Sequence, residues 1–235
     1  MIKFVRIATF IIAAIITIVS IFYVDPNAEL AKARQAYGKG DMDQALRMAR
    51  RANWAFSEDN GKTEAFYLQA KAASKMNWKS AAIGYLNQLL SLDNENARAL
   101  LFRGELKYQL GNSEEAVSDL DRGLSLAPQN TSKPSLAYYR SQRGLAYLAL
   151  GQQDEAQSDA ISALNLAANL SEAHDLMSKV YEEKGDLEKA LAECEQAYQL
   201  AVERDKLSFM TPKGQELSNR LVDLKVKNAR MKRSK

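Results

Sequence analysis

The feature that most constrains this chain is a turn signature that returns along its length. A glycine or asparagine is followed five residues later by alanine, at Gly40/Ala45, Asn77/Ala82, Gly111/Ala116, Gly151/Ala156 and Gly185/Ala190. The turn residues are spaced by 37, 34, 40 and 34 residues, so the unit is 34 long and the two longer intervals hold insertions near 58–61 and 130–134. The unit from Asn96 to Pro128 shows what the signature builds. Leu100, Gly104 and Tyr108 lie one turn apart on a first amphipathic helix, and Ala116, Leu120 and Leu124 do the same on a second. Gly111 breaks the two, and Asn112 is expected to cap the second helix, with Glu115 reaching back as in a capping box. Closely crossing helices need small residues at the contact, and Gly104 and Ala116 face each other across the turn. Each hairpin can bury its apolar face only against its neighbours, which predicts an all-α solenoid of about five helix–turn–helix repeats.

A 34-residue helix–turn–helix repeat with small residues at these places resembles the tetratricopeptide repeat family. The resemblance runs from about Pro26 to Val202 and implies a right-handed superhelix. Two departures stand out: Glu29 and Lys32 occupy places where the family carries large apolar residues, and Ala168 and Val202 stand where a closing proline is usual. Trp54 is expected to pack between repeats. The last repeat needs a cover, and Leu217, Leu221, Val222 and Leu224 after Pro212 make a partly apolar capping helix. The expected organisation is an anchor over 1–24, repeats over 26–202, and a cap with a basic tail over 203–235.

The anchor is read from Ile7 to Val24, 18 residues without a charge, preceded by Lys3 and Arg6. Eighteen helical residues span about 27 Å, close to the hydrocarbon thickness of a bilayer. The exit, Phe22-Tyr23-Val24-Asp25-Pro26, has no small-residue cleavage pattern, so an uncleaved membrane helix is expected rather than a signal peptide. Basic residues before the span keep the N-terminus cytoplasmic. The expectation is a single-pass protein of a bacterial inner membrane with its repeats outside the cytoplasm. Seven Lys/Arg against one acid between Arg220 and Lys235 read as a solvated end, or alternatively as a contact for anionic lipid headgroups.

Enzymatic chemistry has no foothold in these residues. His174 is the only histidine and Cys194 the only cysteine, which leaves no metal cluster, histidine relay or disulfide within one chain. Cys194 reads as core and His174 as packed or groove-facing. Asp119, Asp121, Glu182 and Glu183 read as ordinary helix-surface acids. No phosphate loop or nucleophile elbow occurs, no cofactor is expected, and a net charge of +3 gives no reason to expect nucleic acid.

The family resemblance implies a concave groove lined by the first helix of each repeat, gripping an extended peptide or a helix. Carried over repeat by repeat, the groove residues are Arg34 and Tyr37; Tyr67 and Lys71; Arg98, Phe102 and Tyr108; Tyr138; and Glu172 and Asp175. The surface would be basic and aromatic at one end and acidic at the other, with some aromatics packing between helices instead. Leu30, Tyr67 and Phe102 stand where members that clamp a C-terminal carboxylate carry polar residues, so that mode is not expected. The expected function is a membrane-anchored scaffold or assembly factor for a protein partner. The alternative is a structural envelope component that self-associates through its repeats into a homo-oligomer.

Overall fold

The computed structural model describes residues 24–204 and 211–233. Apart from Val24, the apolar segment expected to span a membrane lies outside them. Among the described residues no helix is long and apolar enough to cross a bilayer. Those residues form eleven α-helices and no strand, gathered in two compact units. The first, ending at Asn94, holds α1 (Pro26–Gly38), α2 (Met42–Ala55), α3 (Asp59–Lys75) and α4 (Lys79–Leu92). The second, from Glu95, holds α5 (Ala97–Gln109), α6 (Ser113–Ser125), α7 (Lys133–Ala149), α8 (Gln153–Leu166), α9 (Ser171–Glu183), α10 (Leu187–Arg204) and α11 (Pro212–Arg233).

The hairpins close where the repeat signature places them. Gly40, Asn77, Gly111, Gly151 and Gly185 have φ of 82°, 61°, 86°, 75° and 77°. That left-handed region is open to glycine and costs asparagine little, which is why these two types recur. In each turn the next residue's N–H donates back to a carbonyl of the last helical turn: Asp41 to Ala36, Trp78 to Ala73, Asn112 to Lys107, Gln152 to Tyr147 and Asp186 to Tyr181, at 2.8–3.0 Å. This closure satisfies carbonyls the helix end would otherwise orphan. Ala45, Ala82, Ala116, Ala156 and Ala190 are all fully buried at the crossings. At the third crossing, a Cβ on Gly104 would lie 2.7 Å from Leu120 Cγ and 3.0 Å from the Ala116 carbonyl oxygen.

One expected cap is not made. Asp25, Asp41 and Asn96 each accept a backbone N–H, from Asn27, Gln44 and Ala99 at 2.9, 2.9 and 3.0 Å. Asn112 makes no side-chain cap bond, and Glu115 turns to Lys107 Nζ at 2.9 Å instead of reaching back. The cation on the preceding helix outcompetes a neutral backbone donor for that carboxylate. Asn112→Ala is therefore expected to change the unfolding free energy by less than about 0.5 kcal/mol, whereas Asn96→Ala removes a real cap and costs about 1 kcal/mol. Chemical denaturation of both variants checks the order, and a larger loss for Asn112 would contradict the geometry.

Inside the first unit Leu30, Ala33, Ala49, Ala52, Ala65 and Leu68 form a core with Tyr37 and Phe56 against it. Glu29 is buried, its carboxylate accepting from Lys32 Nζ at 2.8 Å and lying 3.5 Å from Arg51 Nε. Trp54 does not pack between repeats: it is 81% exposed, on the face of α2 opposite the Ala45, Ala49 and Ala52 stripe. In the second unit Leu145, Ala156, Ala160, Leu176 and Val180 make the main core. The cover over α10 is present as α11, which buries Leu217 and Leu224 completely against Ala197 and Cys194. Each such leucine contributes about 2 kcal/mol of apolar burial. Val222 points away from that seam and is exposed.

Candidate protein-interaction cleft

Two arginine–aspartate struts set the rigidity of the second unit. Arg103 on α5 donates from Nε and Nη2 to Asp119 on α6 at 2.7 and 2.6 Å. Arg143 on α7 repeats the arrangement with Asp159 on α8 at 2.8 and 2.6 Å. In both, acid follows arginine by 16 residues, and the two-pronged geometry is the strong form of this contact. Lys107 adds a second cation to Asp119 at 2.9 Å, and Arg143 also reaches Asp121 on α6 at 2.6 Å. Asp119 and Asp121 are therefore not ordinary surface acids. Asp119 is buried, and Asp121 ties one hairpin to the next.

Held by these struts, α5, α7 and α9 turn one side of each helix into a common cleft, which α11 closes at its far side. The cleft measures about 320 Å³ and is lined by Tyr108 and Gln109, by Tyr138, Gln142 and Leu145, by Glu172, Asp175 and Lys179, and by Lys213 and Glu216. Tyr138 donates its hydroxyl to Glu105 Oε1 at 2.8 Å, and burial together with that carboxylate pushes the phenol far above its ordinary range. Tyr108 packs against the cluster containing Leu145 and Leu176. Of the residues expected in the groove, Tyr108, Tyr138, Glu172 and Asp175 come together here. Arg98 is exposed and Phe102 half-buried on α5, and neither lines the cleft.

Asp175 is the main correction. Its place on the cleft side of α9 was legible, but its side chain is only 1% exposed, because α11 lies over it. Arg220 Nη1 and Lys213 Nζ each approach its oxygens to 2.7 Å, and Lys179 Nζ lies at 3.1 Å. Burial alone would raise the Asp175 carboxyl, but the three cations outweigh it and hold the group below its usual value. Glu182 one turn pair further on takes Arg220 at 3.2 Å and Lys227 at 2.6 Å, and is lowered in the same way. It too is more than a surface acid. Lys225 and Lys232 pair with Glu195 and Glu188 of α10 at 3.1 and 2.8 Å. The basic tail is thus largely a helix whose cations face acids of the last repeat.

His174 takes the packed one of the two places expected for it, Nδ1 lying 2.7 Å from Glu193 Oε2 and Nε2 2.9 Å from the Ala168 carbonyl. Hydrogen bonding to Glu193 raises its pKa against the effect of burial. Cys194 is fully buried, its thiol pushed up by that burial. Among the described residues no group of acids, histidine and cysteine could hold a metal ion. In the first unit Lys71 Nζ sits 4.5 Å above the Tyr37 ring, Arg34 lies 3.4 Å from Glu64, and Tyr67 is half-buried on α3.

Sequence reasoning missed Gln109, Gln142, Lys213 and Glu216 as cleft residues. The last two belong to α11, whose path follows from tertiary packing. The Arg/Asp spacing of 16, recurring in two hairpins, was a signal that could have found the struts.

Comparisons with known proteins agree with this architecture. A family model described as tetratricopeptide repeat matches residues 63–96, 97–130 and 171–201. Two curated proteins of Arabidopsis thaliana are each 32% identical over short stretches: TPR repeat-containing thioredoxin TTL4 over 87 residues and inactive TPR repeat-containing thioredoxin TTL3 over 98. The stretches cover 37% and 42% of this chain but only 12% and 13% of those proteins. Among solved structures, a thermophilic TPR protein of Thermus thermophilus is 24% identical with a TM-score of 0.60, over 86% of this chain and 100% of that one. MamA of Desulfovibrio magneticus is 17% identical with a TM-score of 0.64, over 77% and 97% of the two chains. A chain of the Cut9–Hcn1 hetero-tetramer is 17% identical with a TM-score of 0.68, this chain spanning 36% of it. Three of the five hairpins thus match the tetratricopeptide repeat model, and the solved structures share the helical-hairpin fold.

Proposed function

We propose that this chain is a membrane-anchored protein-interaction scaffold, held in a bilayer by residues 7–24 with its repeats outside the cytoplasm, and that a partner's peptide or helix seats in the cleft between α5, α7, α9 and α11. The observation that carries this reading is the cleft's lining, where two tyrosines and Leu145 offer apolar area beside carboxylates and amines. Aromatic anchors in a desolvated centre with charges at the rim are the usual make-up of an interface. Asp175 is already matched by Arg220, Lys213 and Lys179, and Glu216 lies 3.5 Å from both lysines, so the lining is close to balanced in charge. A partner segment that lays apolar side chains against Tyr108, Tyr138 and Leu145 suits it best.

The test places a photo-crosslinking amino acid at Gln109 or Glu216, exposed residues of the cleft, and at Ser118, exposed on α6. Crosslinking of the full chain in its native membranes is expected to give a discrete adduct from the cleft positions and none from Ser118. Equal adducts from all three would sink the cleft as the binding site. An adduct of twice the chain's own mass would favour the self-associating reading instead.

A further inference from the structure

We propose that one face of α2, carrying Arg47, Arg50, Arg51 and Trp54, is a membrane-contact surface that rests in the headgroup layer of the bilayer. The proposal builds on the anchored reading above and extends it to a second, peripheral contact made by the folded first unit.

The starting anomaly is Trp54, 81% exposed on a helix whose opposite side is packed with alanine. Residues 47, 50, 51 and 54 fall within about 100° of helix circumference at 100° per residue, so three arginines and the tryptophan share one stripe. All four are exposed. Arg50 donates to the neutral hydroxyl of Tyr85 at 2.7 Å, and Arg51 lies 3.5 Å from Glu29 while remaining more than half exposed. Tryptophan and arginine together are the side chains that favour a membrane–water interface, the ring taking the amphipathic zone and the guanidinium the phosphates.

The occupant is identified by where the chain enters the unit. Val24, the last residue of the uncharged segment, lines one cavity with Pro26, Asn27, Ala55, Phe56, Ser57, Glu58 and Gly61. α1 begins where α2 ends, so Trp54 stands one residue from the wall that receives the chain from its apolar segment. A segment spanning the hydrocarbon fixes the depth of Val24 at its edge, and each headgroup layer beyond is about 5–8 Å deep. A lean of the unit that turns this face of α2 toward the bilayer brings Trp54 and the arginines into that layer. Acids are close by: Asp43 lies on the same side of α2 three turns away, and Glu58 and Asp59 follow α2 at the start of α3. Glu58 shares the cavity of Val24 and Asp43 lies one turn from Arg47 on the same stripe, so these acids offset part of its charge, and the pull toward anionic lipid rests on the three arginines together. The basic tail is a weaker candidate for the same role, since Arg220, Lys225, Lys227 and Lys232 already face acids of their own unit.

The experiment uses the full chain in vesicles of phosphatidylcholine, with or without phosphatidylglycerol. The chain has two tryptophans, so Trp78→Phe leaves Trp54 as the sole emitter and Trp54→Phe leaves Trp78. Trp54 emission is expected to shift to the blue and to lose most of its intensity to lipids brominated near the headgroup, more so with phosphatidylglycerol. Trp78, at the α3–α4 turn, is expected to keep its intensity. Arg47→Glu with Arg50→Glu should relieve the quenching of Trp54. Vesicles that float with the chain while Trp54 stays red and unquenched overturn the contact alone and leave the anchor standing. A chain that does not float overturns both. A blue shift that grows with protein concentration, without quenching, means that a second copy covers Trp54, and also overturns the proposal.

Discussion

Asp175→Ala is expected to lower the stability of the second unit by about 3 kcal/mol, the scale of breaking a buried ion pair on one side. The substitution removes a side chain that is 1% exposed and leaves Arg220, which is 15% exposed, without its main counter-charge. Lys213 and Lys179 are better hydrated and can turn to Glu216, 3.5 Å from each. The loss thus falls chiefly on Arg220 and on the seating of α11. Thermal unfolding followed by circular dichroism reads it, at roughly 2–4 °C per kcal/mol for a protein of this size. A loss below about 1 kcal/mol, the ordinary worth of an exposed pair, would mean that the three cations rehydrate freely and that the cluster is not buried in solution.

The same cluster fixes a pH dependence. Asp175 and Glu182 both have lowered pKa values in the folded chain. A group lowered on folding contributes stability that is fully present above its unfolded pKa, near 4 for carboxylates, and is lost as pH falls through the folded value. The wild-type melting midpoint should therefore drop as pH is taken from about 4 toward 2. In Asp175→Ala that drop should be shallower, since one of the two responsible groups is gone.

Gly104→Leu is expected to cost about 1–3 kcal/mol, the range for overpacking a close crossing. The Cβ alone would meet Leu120 Cγ at 2.7 Å and the Ala116 carbonyl oxygen at 3.0 Å. Leu120 can rotate away, but a backbone oxygen inside α6 cannot. Even Gly104→Ala should destabilise, against the gain of up to about 1 kcal/mol that alanine brings to a helix interior. Gly84 on α4 makes the comparison, because nothing lies within 4 Å of its missing Cβ. Gly84→Ala should raise the midpoint while Gly104→Ala lowers it. Equal shifts in one direction would mean that propensity, not the crossing, decides.

The division between what was legible and what was not follows the range of the interactions. Turn residues, buried alanines and the Gly104 crossing are set within one hairpin by backbone sterics and by spacing, so a single sequence carries them. The burial of Asp175 depends on where α11 comes to rest after residues outside the described set, and no local pattern records that. Asn112 misled for a related reason, since a capping box read from four residues takes no account of Lys107 on the preceding helix, which claims Glu115. Trp54 misled in the opposite sense: a large aromatic on a repeat helix is normally packed, and here it is left outward beside three arginines.

The seam between α10 and α11 also governs the chain's only thiol. Cys194 is fully enclosed, its sulfur 3.9 Å from the Leu217 carbonyl, so no reagent meets it until α11 lifts. Alkylation of that sulfur in the native protein is then a stopwatch for the end of the repeats: its rate measures how often this seam is uncovered. By the same token, two copies of the chain cannot become disulfide-linked in an oxidising compartment while their end helices stay shut.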